Sequence, residues 1–280
     1  MTIKRSARPL RARSLMRLLG PGLVAGASDD DPSGIATFSQ AGAQFGYSML
    51  WTVAFTWPFM VAIQLVAAHI GRVTGGGIMS NVKTMFSRSV VVALATLLVV
   101  ANTINIAADL AAMGEALKLV VGGGEHGRAL VFGVMCLALQ IRIPYRHYAP
   151  ILKWLTLSLF AYVAVVFTVQ VPWSVVLRQT LLPTVNWSAD YLLVVVAVFG
   201  TTISPYLFFW QASQEVEEMH QGRQRRPLRE MRRGGEPELV RMEWDTMLGM
   251  GFSNIVAYFI ILTTAATLHT VGITDIQTSA

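Results

Sequence analysis

Three aspartates stand in a row at Asp29, Asp30 and Asp31, inside an otherwise apolar stretch, and Pro32, Ser33 and Gly34 follow them. Carboxylates flanked by the hydroxyls of Ser28 and Ser33 are hard oxygen donors, which suit hard cations such as Mg²⁺, Ca²⁺ or Mn²⁺. Pro32 lacks an N–H and disfavours helix at the residue before it. A helix is therefore expected to stop near Ala27 and to restart with Asp31 as N-cap and Pro32 at its first position. A capped kink with solvated acids would account for Asp31 but not for two more acids beside it. Gly200-Thr201-Thr202-Ile203-Ser204-Pro205-Tyr206 offers a matching break, because Pro205 removes a helical hydrogen bond and frees a carbonyl near Thr201. Carboxylates, a freed carbonyl and hydroxyls together make an oxygen site for a cation.

The elements that carry these breaks follow from composition. Of 280 residues, 54% are hydrophobic and 14% charged. A soluble domain carries about 25% charged residues, so a soluble enzyme and a disordered chain are both excluded. The class is an all-α polytopic membrane protein. Seven apolar runs are long enough to be spans, near 14–45, 49–70, 90–117, 129–141, 151–171, 191–214 and 244–270. The fourth is short. The first and sixth contain the two breaks, at 28–34 and 201–206. A charged group at the bilayer centre costs about 2.5–3.5 kcal/mol, so the aspartates must face a wet cavity or a cation. Broken spans five apart are the pattern of inverted-repeat transporters, whose paired breaks form the substrate site.

The basic residues test this layout. With the N-terminus inside, 19 of the 22 Lys and Arg fall on the inner side. Only Lys118, Arg128 and Arg178 fall outside. That asymmetry is the positive-inside signature. It makes 1–13 a basic cytoplasmic tail and 215–243 a basic cytoplasmic loop, so the run Arg223–Arg233 reads as topology rather than nucleic-acid binding. The N-terminus imitates a cleavable signal peptide, but Arg17, Gly20, Pro21 and Gly22 interrupt its apolar core, so an uncleaved first span is expected. Cys136 stands alone, which excludes an intrachain disulfide and a Cys/His zinc site.

At these residues the sequence resembles the Nramp (natural resistance-associated macrophage protein) family of divalent-metal transporters. Gly20-Pro21-Gly22, Asp31-Pro32-Ser33-Gly34, Ile70-Gly71-Arg72-Val73-Thr74-Gly75, the stretch from Ala101 to Leu110 and the break at Pro205 carry the resemblance in order. It implies a leucine-transporter-like fold of two inverted five-helix repeats working by alternating access. The first repeat would span 14–171, and 191–270 would start the second. No resident cofactor is implied; the partners are a divalent cation and the lipid bilayer.

The departures from the family pattern shape the expected site. The family's Asp-Pro-Gly-Asn keeps its Asp as Asp31, but the Asn position is Gly34. The carbonyl ligand and the methionine of its sixth span correspond to Thr201 and Ser204. The histidine after the proline is Tyr206, and of the acidic pair linked to proton movement Asp109 remains while the second acid is Ala112. The expected metal set is thus Asp31, Gly34, Thr201 and Ser204, with Asp30 and Ser28 adding oxygen acceptors. Loss of the thioether weakens preference for softer metals. A wider, acidic site suits an ion that keeps part of its water, as Mg²⁺ does. The resemblance is closest to the Nramp-related magnesium-transporter branch, and Tyr206 with Ala112 argues against tight proton coupling.

Asn102, Asn105 and Asp109 share one helix face. Asp109 and Asn105 are expected on a proton or ion pathway, with interhelical hydrogen bonding the simpler role for the asparagines. Gln64, Gln211 and Gln214 either line the cavity or join helices, and His69 lies near a cytoplasmic helix end. Two other functions compete. A sodium-coupled solute symporter of the same fold would point a helix N-terminus at a substrate carboxylate, which the three aspartates would repel. A non-transporting fragment or scaffold is the other, since the family's second repeat would need three more spans beyond Ala280.

Overall fold

The computed structural model describes residues 25–26, 28–121, 125–143, 156–221, 227–230 and 236–276. Every regular element among them is helical. The expected tail 1–13, the motif at Gly20–Gly22, most of the run 223–233 and the start of the fifth span lie outside these residues.

The first break forms as the residue chemistry dictates, with one change. Ser28 and Asp29 are still helical, so the chain leaves the helix at Asp30, later than the expected stop near Ala27. Asp31 then adopts an extended conformation (φ −73°, ψ 167°) and caps α1, Pro32–Phe45, with Pro32 in the first turn. A short 3₁₀ turn, Gly46–Met49, leads into α2, Leu50–Thr74. Gly46 takes φ +59°, a left-handed conformation natural for glycine, and His269 packs against it so closely that a Cβ would collide. Next come the short α3, Ile78–Met85, then α4, Arg88–Val121, and α5, Glu125–Arg142. The fourth span is thus longer than its apolar run at 129–141, because charged residues at both ends continue the helix. Span five is described from residue 156 on, as a 3₁₀ turn, Thr156–Leu159, and α6, Phe160–Val166.

Two helices were not expected. α3 and α7, Trp173–Leu181, are short and occupy segments read as loops. α7 buries Val176. The sixth span divides into α8, Ala189–Thr202, and α9, Pro205–Gln221, with the break confined to Ile203 and Ser204. α10, Glu236–Thr267, begins eight residues before the apolar run predicted at 244, again because polar residues extend the helix into the loop.

Four described stretches are long and apolar enough to cross a membrane: 32–74, 88–118, 189–220 and 237–271. The first joins α1 and α2 through the 3₁₀ turn. α5 is not among them, since Glu125, Arg128 and Arg142 dilute its hydropathy. α4 leaves most of its apolar side chains exposed, including Leu97, Val99 and Ile104, as a lipid-facing helix does.

The core lies where α1, α2, α8 and α10 meet. Phe38, Leu50, Val53, Tyr191, Val198 and Ile260 are buried there. The Tyr191 hydroxyl donates to the Ser48 carbonyl at 3.0 Å and accepts from Trp51 Nε1 at 2.9 Å, so Trp51 is tied into this core. Small residues let backbones touch: a Cβ at Gly42 would collide with Thr264 and the Ile261 carbonyl, and one at Gly26 would collide with the Gly249 backbone. α10 therefore grips the chain on both sides of the first break.

Candidate cation site

The site is built on the N-terminus of α1. The first N–H groups of a helix have no partner within it, and the Asp31 carboxylate takes one: Gly34 N donates to Asp31 Oδ1 at 2.7 Å. The Ser33 hydroxyl donates to the same oxygen at 2.7 Å and lies 3.2 Å from Asn105 Oδ1. From α4, Asn105 Nδ2 donates to Asp31 Oδ2 at 3.1 Å and lies 3.2 Å from Asp109 Oδ2. From α9, the Tyr206 hydroxyl donates to Asp31 Oδ2 at 2.7 Å. Asp31 is thereby held from three helices. Asp109 closes the web by accepting from Ser33 N at 3.1 Å.

Gly34 lies between the two breaks. A Cβ there would lie 3.1 Å from the Asp29 carbonyl, 3.3 Å from Asp31 Oδ1 and 3.5 Å from Thr201 Oγ1. The tight contacts are with the first break itself, and Thr201 of the second break lies at ordinary contact distance. Pro205 has no N–H to offer the Thr201 carbonyl, which leaves that oxygen without its helical partner. Beside these groups is a cavity of about 320 Å³ lined by Ser33, Thr37, Asn102, Asn105, Thr201, Ser204 and Tyr206. Its polar lining consists of hydroxyls and amides.

The other two aspartates face elsewhere. Asp29 is buried, and its Oδ2 accepts from Ser253 Oγ of α10 at 2.7 Å. Its Oδ1, and both oxygens of the buried Asp30, have no hydrogen-bond partner among the described residues. A buried carboxylate left in that state is costly, so these oxygens are acceptors in want of a cation or donor. Ser28 is half-buried. Among the described residues no three His, Cys, Asp or Glu side chains converge as a metal-holding group. A cation here would rely on carboxylate, carbonyl, amide and hydroxyl oxygens, the donor set of hard ions.

The structure thus brings Asp31, Gly34, Thr201, Asn105 and Asp109 together, with Ser204 on the same cavity. It does not hydrogen-bond Asp30 into this web. Sequence reasoning missed Ser33 as a hub, Tyr206 as a donor to Asp31, and Ser253. Ser253 left a trace, since Ser253-Asn254 interrupts an apolar run in span seven.

Near the far ends of α2, α9 and α10 lies a second polar group. Arg72 pairs with Glu238 at 3.1 Å and Arg241 with Glu218 at 3.0 Å. His69 Nε2 lies 3.4 Å from Glu243. Glu215 and Asp245 are buried beside them, and Gln211 Nε2 donates to Glu215 Oε1 at 3.2 Å. Gln211 therefore bonds one turn along its own helix toward this end and is not among the residues lining the cavity at the breaks.

Comparison with known proteins agrees with this architecture. The divalent metal cation transporter MntH of Klebsiella pneumoniae subsp. pneumoniae is 29% identical over 270 residues, covering 93% of this chain and 61% of that protein. The MntH protein of Erwinia tasmaniensis is 29% identical over 278 residues, covering 97% and 63%. The chain spans about three fifths of the length of these curated relatives. A crystal structure of the Eremococcus coleocola manganese transporter, in complex with an aromatic bis-isothiourea compound, superposes with a TM-score of 0.70 at 18% identity, over 92% of this chain and 54% of that one. A second structure of the same transporter gives 0.69 over 94% and 54%. That likeness establishes the leucine-transporter-like fold. The family model described as natural resistance-associated macrophage protein-like matches residues 22–280, and the chain belongs to the Nramp family.

Proposed function

We propose that this chain binds a hard divalent cation, Mg²⁺ or Mn²⁺, at the paired helix breaks as the central step of transport by alternating access. The observation that carries the reading is the meeting of the breaks at Gly34 and Thr201 beside the capped Asp31 carboxylate. The groups that would hold it are Asp31, through water for an ion that keeps its shell, the freed Thr201 carbonyl and Ser204, with Asp30 and Ser28 supplying further oxygens. The membrane is assigned as the bacterial plasma membrane, with the N-terminus cytoplasmic, on the distribution of basic residues. Names of relatives support divalent-cation transport in general.

Preference for Mg²⁺ rests on this chain's own residues. Among the described residues no thioether lines the cavity, and its hydroxyls and amides offer hydrogen bonds to the water shell of an ion that dehydrates reluctantly. Proton coupling is weak or absent, because Tyr206 and Ala112 occupy the positions of titrating groups in the family pattern.

Isothermal titration with Mg²⁺, Mn²⁺ and Ca²⁺ tests the binding step on the chain as it stands. Asp31→Ala is expected to weaken binding by at least about tenfold. Equal affinity in wild type and variant would sink the site. Flux into proteoliposomes is expected to vary little with pH, and strict co-transport of protons would overturn the coupling assignment.

A further inference from the structure

We infer that the Tyr206 hydroxyl is a latch on Asp31 that selects against ions needing direct carboxylate contact. The inference rests on the cation-site reading above and deepens it by naming a specificity-determining residue.

A carboxylate offers about four lone-pair positions. All four at Asp31 are engaged. Oδ1 accepts from Gly34 N and the Ser33 hydroxyl, and Oδ2 accepts from Asn105 and Tyr206. An ion that is to touch Asp31 directly must therefore displace a donor. Gly34 N is fixed by the backbone of α1, and Ser33 belongs to the same turn. Asn105 is the longer of the remaining two at 3.1 Å and has Asp109 Oδ2 as an alternative acceptor at 3.2 Å. Tyr206 is shorter, at 2.7 Å, and donates a hydroxyl to a charged acceptor, the stronger type of hydrogen bond. Its ring is mounted on the first turn of α9, immediately after the helix-breaking Pro205, which limits its travel.

With the latch closed, an ion in the cavity meets Asp31 through water. An ion that readily exchanges water for carboxylate gains nothing until the latch opens. An ion that keeps its shell, as Mg²⁺ does, binds with the latch in place. Tyr206 therefore narrows the advantage of Mn²⁺ over Mg²⁺ by withholding one inner ligand.

Tyr206→Phe removes the hydroxyl and keeps the ring. Titration calorimetry on the purified full chain is expected to show Mn²⁺ affinity rising by at least about fivefold, while Mg²⁺ affinity changes by less than about twofold. Pulsed EPR of bound Mn²⁺ is expected to show one fewer coordinated water in the variant. Equal changes for both ions, or an unchanged water count, would overturn the latch. Tyr206→Leu, which also lacks the donor, must shift the ratio in the same direction, and provides the test should the Phe variant be unstable. Ser33→Ala removes a donor from Oδ1 instead, and an equal shift there would overturn the assignment to Tyr206. If the wild type binds neither ion, the cation-site reading fails instead.

Discussion

The backbone N–H of Ser33 donates to Asp109 Oδ1 at 3.1 Å across 76 residues of sequence. Asp109 thus serves the helix N-terminus of α1 beside the capping Asp31, and α4 is tied to the first break through it. Asn105 hydrogen-bonds to both carboxylates. Asp109→Ala deletes an acceptor for Ser33 N and for Asn105. The expected loss is about 1–3 kcal/mol, read as a lower melting temperature in detergent. Asp109→Asn keeps one oxygen and is expected to recover part of that loss. Cation affinity should fall less than in Asp31→Ala. A larger effect on affinity than Asp31→Ala would make Asp109 the primary ligand.

Gly34→Ala tests whether the close packing at the first break matters. The added methyl meets the Asp29 carbonyl at 3.1 Å and Asp31 Oδ1 at 3.3 Å, both tighter than ordinary contact. Overpacking of this kind costs about 1–3 kcal/mol. The variant is expected to melt earlier and to bind Mg²⁺ more weakly, as measured by calorimetry. Unchanged melting and affinity together would show that the breaks can spread without cost, and Gly34 would lose its place in the site.

Much of this was legible in the sequence for local reasons. A proline fixes where a helix restarts, so Pro32 and Pro205 located both restarts, while the stop of the first helix came later than Ala27, at Asp30. Helical spacing set Asn105 and Asp109 on one face, and the pair does face the first break. What was not legible is long-range pairing. Nothing in the sequence around Tyr206 says that its hydroxyl reaches Asp31, 175 residues away. Nothing in Asp29 says that it turns toward Ser253 while Asp31 turns toward α4 and α9. Helix ends were misjudged where charged residues continue a helix beyond its apolar run, as at Glu125 and Glu236, because hydropathy reports the membrane and not the hydrogen-bond ladder.

Ser253→Ala follows from that pairing. Ser253 donates to Asp29 Oδ2 at 2.7 Å, and Asp29 is only 2% exposed. Removing the hydroxyl leaves both oxygens of a buried carboxylate without a donor. The expected destabilisation is about 1–3 kcal/mol or more. Asp29→Asn in the same background replaces the charge with an amide and is expected to restore stability. The thermal melts of the two variants decide it. If the double variant is no more stable than Ser253→Ala alone, the hydroxyl is not there to satisfy the carboxylate.

The ion pairs at the opposite end of the bundle differ in a way that double-mutant cycles can resolve. In the Arg72–Glu238 pair the two side chains are 9% and 28% exposed, and the pair joins α2 to α10. In the Arg241–Glu218 pair they are 39% and 37% exposed. Water screens the second pair, which should couple by about 0.2–1 kcal/mol. The first has lost more hydration, and removal of one partner would strand a largely buried guanidinium. Its coupling is expected to be larger, about 1–3 kcal/mol, and to persist in high salt while the Arg241 pair fades. Arg72→Ala and Glu238→Ala, singly and together, measure the first, and Arg241→Ala with Glu218→Ala the second. Equal couplings with equal salt dependence would mean that burial at this end does not decide how firmly α10 is held to α2. The tie would then rest on apolar packing between the two helices.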